Sequence, residues 1–217
     1  MISRDCHLCR LRGQAEQVVN PDGAKGSILA IGEGPGADED EHGVGFIGAA
    51  GQTLEREMYA AAGLTRQQWA RANIVRCRPP GNRKPFADEI RSCSGWLDQT
   101  IDGMRPAVLL LVGESAGRHL GNSVIRRQES YLSQVHRLLH DVMAKEVAPG
   151  TSRIADLLPQ YRGVPVVPMP HTSGLAWNRR YRPSGIEGPE KRIADLGRLA
   201  LKIAVRVRSD LFESKHQ

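Results

Sequence analysis

No long hydrophobic run occurs in this sequence of 217 residues. The longest, Ala107 to Val112, falls far short of the ~20 residues that a membrane-spanning helix needs. The first ten residues, MISRDCHLCR, have no apolar centre and do not read as a secretory leader. No linker-like stretch, internal repeat or low-complexity segment divides the chain, so residues 1–217 read as one domain. Cysteine is scarce. There are four, and none is left over once Cys6 is grouped with Cys9 and Cys77 with Cys93. In a chain without a leader such usage points to metal or redox chemistry rather than disulfides. Together these absences predict a cytoplasmic protein with no membrane partner.

What is present is basic. The net charge is +6 and the pI about 9.4, a balance that favours polyanionic partners. Four short apolar runs read as buried strands: Ser27–Ile31, Asn73–Val75 with its flanks, Ala107–Val112 and Val164–Val167. They are unbroken rather than alternating, as parallel strands covered on both faces are. Helical patterns lie between them. Leu54, Met58 and Ala61 share one face of a helix closed by Gly63. Ile90, Cys93, Leu97, Ile101 and Met104 mark a second. Ser123–Val147 forms a third. A fourth starts at Pro189 and carries Ile193, Leu196, Leu199 and Ile203. The tail from Arg208 onward is expected to fray. The fold class is therefore α/β: three layers, α/β/α, around a central, mainly parallel four-stranded sheet.

Three of the four strands run into unusual clusters at their carboxyl ends: GEGPGADED, RCRPPGNRK and MPHTSGLAWNRR. In open α/β sheets ligands bind at that edge. Gly32-x-Gly34-x-x-Ala37 formally matches a dinucleotide fingerprint. Pro35 removes a backbone donor that a phosphate would use. Asp38, Glu39, Asp40 and Glu41 would repel a pyrophosphate. About twenty residues on, where a ribose-binding acid should end a strand, the pattern is helical. The loop suits a flat, uncharged ligand approached closely by backbone. The four cysteines suit either Zn²⁺ or an iron–sulfur cluster. Arg76, Arg78, Arg83 and Lys84 have no acid among them and sit on a loop stiffened by Pro79, Pro80 and Pro85. His171–Arg182 interleaves His171, Trp177 and Tyr181 with Arg179, Arg180 and Arg182, a mixture that suits bases and phosphates.

Taken together, GEGPGADED, GVGFIGAAGQTLEREM, ANIVRCRPPGNRKP, EIRSC and the His171 motif resemble the family-four uracil-DNA glycosylases, the iron–sulfur branch of that superfamily. The resemblance runs from Cys6 to about Leu120 and resumes at Val164, which implies that the helical segment at about 122–160 is an insertion relative to the family. It implies a uracil-DNA glycosylase-like fold and a monofunctional enzyme that flips uracil out of DNA and hydrolyses its N-glycosidic bond, starting base-excision repair. Phe46 would stack on the base, and Asn73 would read its polar edge. Backbone around Glu33 and Gly34 would bind a uracil oxygen, and His171 would bond O2 as charge develops there. Glu33 and Glu39 align with catalytically important glutamates. Arg78, Arg83, Lys84, Arg179 and Arg180 would contact DNA, single- or double-stranded. A [4Fe–4S] cluster would sit on Cys6, Cys9, Cys77 and Cys93. A monomer is expected.

One departure stands out. The family generally reads His-Pro in the last motif, and here Thr172 follows His171. His171-Thr172-Ser173-Gly174-Leu175 is closer to the motif of the archetypal uracil-DNA glycosylases, where the leucine wedges into the duplex. Two alternatives share the fold: a glycosylase for other deaminated bases, and a non-catalytic uracil- or DNA-binding module. Arg78–Ser92 contains no histidine, which argues against a third version, covalent capture of the product by a histidine after the second strand.

Overall fold

The structure, a computed structural model, describes residues 6–121, 125–126, 128–146, 153–185 and 187–213. In chain order its main elements are β1 (Asp22–Gly23), β2 (Ile28–Gly32), α1 (Ala37–His42), α2 (Ala49–Ala62), β3 (Ala70–Asn73) and α3 (Ala87–Met104). There follow β4 (Val108–Val112), α4 (Glu114–Leu120), α5 (Tyr131–Glu146), β5 (Gln160–Tyr161), β6 (Val164–Met169), α6 (Gly174–Trp177), β7 (Arg180–Tyr181), β8 (Lys191–Arg192) and α7 (Ile193–Glu213). No described helix is long and apolar enough to cross a membrane.

The main sheet has the order β1-β3-β2-β4-β6-β5. Its centre, β3-β2-β4-β6, is parallel throughout. The four expected strands are those four, and two short antiparallel strands extend the sheet at its edges. Alternation along β2 and β4 divides the core. Ile28, Ala30, Val108 and Leu110 face one side, with α2, α5 and α7; Leu29, Ile31, Leu109 and Leu111 face the other, with Leu97 and Ile101 of α3.

Several boundaries differ from the sequence reading. The second strand runs Ala70–Asn73, and Asn73 is its last residue rather than its first. Arg71 fits inside it because it is buried with its guanidinium donating to the Arg66 carbonyl. The third helix begins at Tyr131, not Ser123; Ser123 and Val147 lie outside the described residues. The last helix begins at Ile193, because Lys191–Arg192 pair with Arg180–Tyr181. It continues through the expected frayed tail to Glu213.

Candidate active site and cysteine pocket

Parallel pairing brings the strand ends together. Gly32 stands opposite Asn73, and Val112 opposite Met169. Above them opens a cavity of about 450 Å³ lined by Glu33, Gly34, Glu39, Phe46, Asn73, Arg83 and His171, among others. That volume lies within the range for small-molecule sites.

Close approach explains the glycines. A Cβ on Gly32 would lie 2.5 Å from Asn73 Oδ1 and 2.9 Å from the Phe46 ring. Gly32 is therefore what lets the amide and the ring flank one space. Phe46 sits in the left-handed region at φ 58°, a costly conformation for an aromatic residue. It is held there from outside. Arg66 donates to the Phe46 and Gly45 carbonyls, and a Cβ on Gly51 would collide with Phe46 O at 2.2 Å. The ring meets Trp69 edge-on at 6.5 Å. Glu39 completes the clamp. Its Oε1 accepts from the Ile47 and Gly48 N–H groups and its Oε2 from Gly36 N–H, at 2.8–3.0 Å. Both carboxylate oxygens are thus committed to backbone, joining the glycine loop to the Phe46 turn.

Asn73 is 5 % exposed, and among the described residues its amide makes no side-chain hydrogen bond. It does not cap its own strand. Its donor and acceptor are left for the cavity.

His171 carries a tautomer signal. The Ser173 N–H donates to His171 Nδ1 at 3.0 Å. Nδ1 is thereby an acceptor, and the neutral ring carries its proton on Nε2. Desolvation by the surrounding protein lowers the imidazole pKa, with Glu33 opposing the shift. The surface exposure of the residue reflects the cavities it borders. Thr172, in the place of the family proline, is buried and donates to the Ala50 carbonyl at 2.7 Å. A hydroxyl tether to α2 thus restrains the loop that a proline ring would have stiffened.

The turn after β4 also belongs to the site, and the sequence reading missed it. β4 lies between β2 and β6, so its end must lie between Glu33 and His171. Ser115 Oγ donates to Glu33 Oε2. A Cβ on Gly113, at φ 88°, would press on His171 Cδ2 at 2.9 Å. The sequence signal was present: a buried strand running straight into Gly-Glu-Ser.

The basic residues divide. Lys84 is exposed, and Arg78 is half-buried and bonded to Asn82 at 2.7 Å. Arg83 is a strut rather than a free cation. It makes two bonds, at 2.7 and 2.8 Å, to Glu89, which is fully buried, and it stacks on Phe86. The Arg83 bonds hold the Glu89 carboxyl down to about pKa 2 despite its burial, helped by Phe86 N–H and Arg10. Arg179 and Arg180 are exposed but line a second cavity beside the first. Trp177 and Tyr181, read from the sequence as base-facing aromatics, are buried at 5 % and 8 % instead. Trp177 packs over Gly197 of α7, where a Cβ would lie 2.2 Å from the ring. Leu175, on the same short helix α6, is 83 % exposed.

All four cysteines are free thiols packed with Leu11, Val18 and Val75 in one small cluster. Among the described residues no group of His, Cys, Asp or Glu is drawn together to hold a single metal ion. Burial and the neighbouring thiols push Cys77 up to about 12, and burial raises Cys93, so both stay protonated unless a metal takes the proton's place. One feature fits an anionic group there. Arg76 is 2 % exposed, and its Nη1 has no partner among the described residues. A buried cation without a counter-charge costs several kcal/mol. A cluster with anionic thiolates would supply that charge, and the donor set fits one.

A profile of the Uracil DNA glycosylase superfamily matches residues 19–194. The chain belongs to this superfamily. It is 37 % identical over 128 residues to a type-4 uracil-DNA glycosylase of Saccharolobus solfataricus, covering 58 % of this chain and 59 % of the relative. A type-4 uracil-DNA glycosylase of Sulfurisphaera tokodaii is 38 % identical over 116 residues, 53 % of each chain. One of Thermotoga maritima is 35 % identical over 114, covering 52 % of this chain and 59 % of the relative. The chain thus spans between half and three-fifths of these curated relatives. The superfamily match covers the lining of the first cavity but begins beyond Cys6 and Cys9.

Proposed function

We propose that this protein is a uracil-DNA glycosylase acting as a single domain and a monomer on DNA, in a cytoplasmic compartment where its thiols stay reduced. The observation that carries the reading is one cavity flanked by a ring, an uncommitted amide and an imidazole fixed as an Nε2–H donor. Phe46 stacks on the flipped base. Asn73 matches a donor–acceptor edge, N3–H and O4. The C1′–N1 bond breaks as water adds to C1′; the bonding electron pair leaves with the base, and the proton that the water gives up ends on the released uracil. His171 Nε2–H faces the charge growing on O2. Glu33, held by Ser115, stands on the side where the positive sugar and the attacking water are stabilised. Glu39 acts through the loops it joins. Leu175 is the wedge, and Arg78, Lys84, Arg179 and Arg180 contact phosphates, with Arg83 bracing their loop. Release of free uracil from labelled uracil-containing DNA tests the reading. Release of a different deaminated base, or binding without release, would replace it.

Cys6, Cys9, Cys77 and Cys93 would hold a [4Fe–4S] cluster. Such a group would tie the N-terminal segment to α3, which bears Cys93, and offset the Arg76 charge. Anaerobically purified protein is expected to be yellow-brown and to contain iron and sulfide, and Cys93→Ser to lose both. Elemental analysis showing zinc without iron would overturn this assignment.

A further inference from the structure

The second cavity, about 570 Å³, adjoins the first, and His171 lines both. It is lined by Tyr131 and Leu132 of α5, by Pro170 and Ala176 from the segment around His171, and by the exposed Arg179 and Arg180. The acidic member of the lining, Glu114, is neutralised by Arg118 at 2.7 Å. The rim has a second oddity. In the β7–β8 ladder Arg180 stands opposite Arg192, and Lys191 is the next residue. Like charges directly opposite each other are destabilising, and a polyanion lying along the hairpin would offset them. The hairpin is held in this position from the insertion. His136 Nδ1 meets Tyr181 OH at 2.8 Å, and Ser133 Oγ accepts from Ser184 N–H at 2.9 Å.

From the apolar walls, the cationic rim and the continuity through His171, we infer that this cleft is a binding site for the nucleotide next to the excised one on the same DNA strand. The base lies between Leu132 and Ala176, and its phosphate faces Arg179 and Arg180. The residue-122–160 insertion therefore extends the DNA track by one base. This rests on the reading of the protein as DNA-binding, though not on its catalysing excision.

Fluorescence anisotropy on short single strands containing uracil tests it. The probes are a full strand and two strands in which the base on one side or the other of uracil is replaced by an abasic spacer. Loss of one neighbouring base is expected to raise Kd about tenfold for the native protein, the effect of one stacked base. Leu132→Asn should bind the full strand that much more weakly and cease to distinguish it from the abasic strand. Arg180→Ala should weaken binding to both while keeping the difference. Should Leu132→Asn melt early, Ala176→Asp from the same lining is read in the same way. Indifference of the native protein to both neighbours, or unchanged discrimination in the cleft variants, overturns the inference. Uracil release from the same strands is scored separately. Its absence alongside the expected Kd pattern would remove the glycosylase reading and leave the cleft standing.

Discussion

His171→Ala is expected to slow uracil release by roughly 10²–10³-fold, the usual effect of removing one donor aimed at developing charge. The reason is geometric. Ser173 N–H occupies Nδ1, so the ring can present only a donor to the base, and it does so without a formal charge. A neutral donor gains most when charge appears opposite it, so ground-state binding should change little while the single-turnover rate falls. Gly113 gives the experiment an internal comparison, because a Cβ there would press on the same ring at 2.9 Å. Single-turnover release measured with saturating enzyme decides the matter. A native rate in His171→Ala would show that the imidazole is not the electrostatic stabiliser.

Asn73→Asp is expected to reduce uracil excision on the order of 10²-fold, the cost of leaving a buried partner unpaired or facing a like charge. It should also admit some cytosine. Aspartate loses the donor that meets O4, and when ionised it can accept from the N4 amino group. A capping role would predict a change in stability instead. The amide bonds to no described residue, which removes the basis for that role. Release from matched uracil and cytosine single strands, with melting as a folding control, separates the two outcomes. Unchanged uracil release without cytosine release would take Asn73 out of the pocket.

Most of the site was legible because strand ends are legible. An apolar run followed by glycine, asparagine or histidine is a local pattern, and parallel pairing then brings such ends to one edge. Gly32 and His171 stand out in this way, whereas Phe46 and Asn73 were named only through the family resemblance. What stayed hidden depended on strand order. Ser115 follows the most ordinary-looking strand in the chain, and only the place of β4 between β2 and β6 puts it beside Glu33. Gly51 lies inside a regular helix, and its role appears only where the Phe46 carbonyl closes on it. Trp177 and Tyr181 misled for the opposite reason. Aromatics among arginines suggest stacking on bases, but α7 and α5 were available to bury them. Arg83 reads as a free cation until the fully buried Glu89 is seen to accept two of its bonds.

The central place of β4 has a consequence for how the chain comes to be folded. Its neighbours in the sheet are a strand made long before it and a strand made long after. One face of all three is covered by α7, which is made later still. Chains emerge from the ribosome at about 5–20 residues per second and cannot form such distant pairs early. For several seconds, therefore, Val108–Val112 presents an apolar strand with a bare edge, the kind of segment that pairs with other chains. The arrangement that brings the turn after β4 between Glu33 and His171 also makes the nascent protein vulnerable to aggregation until β6 and α7 arrive.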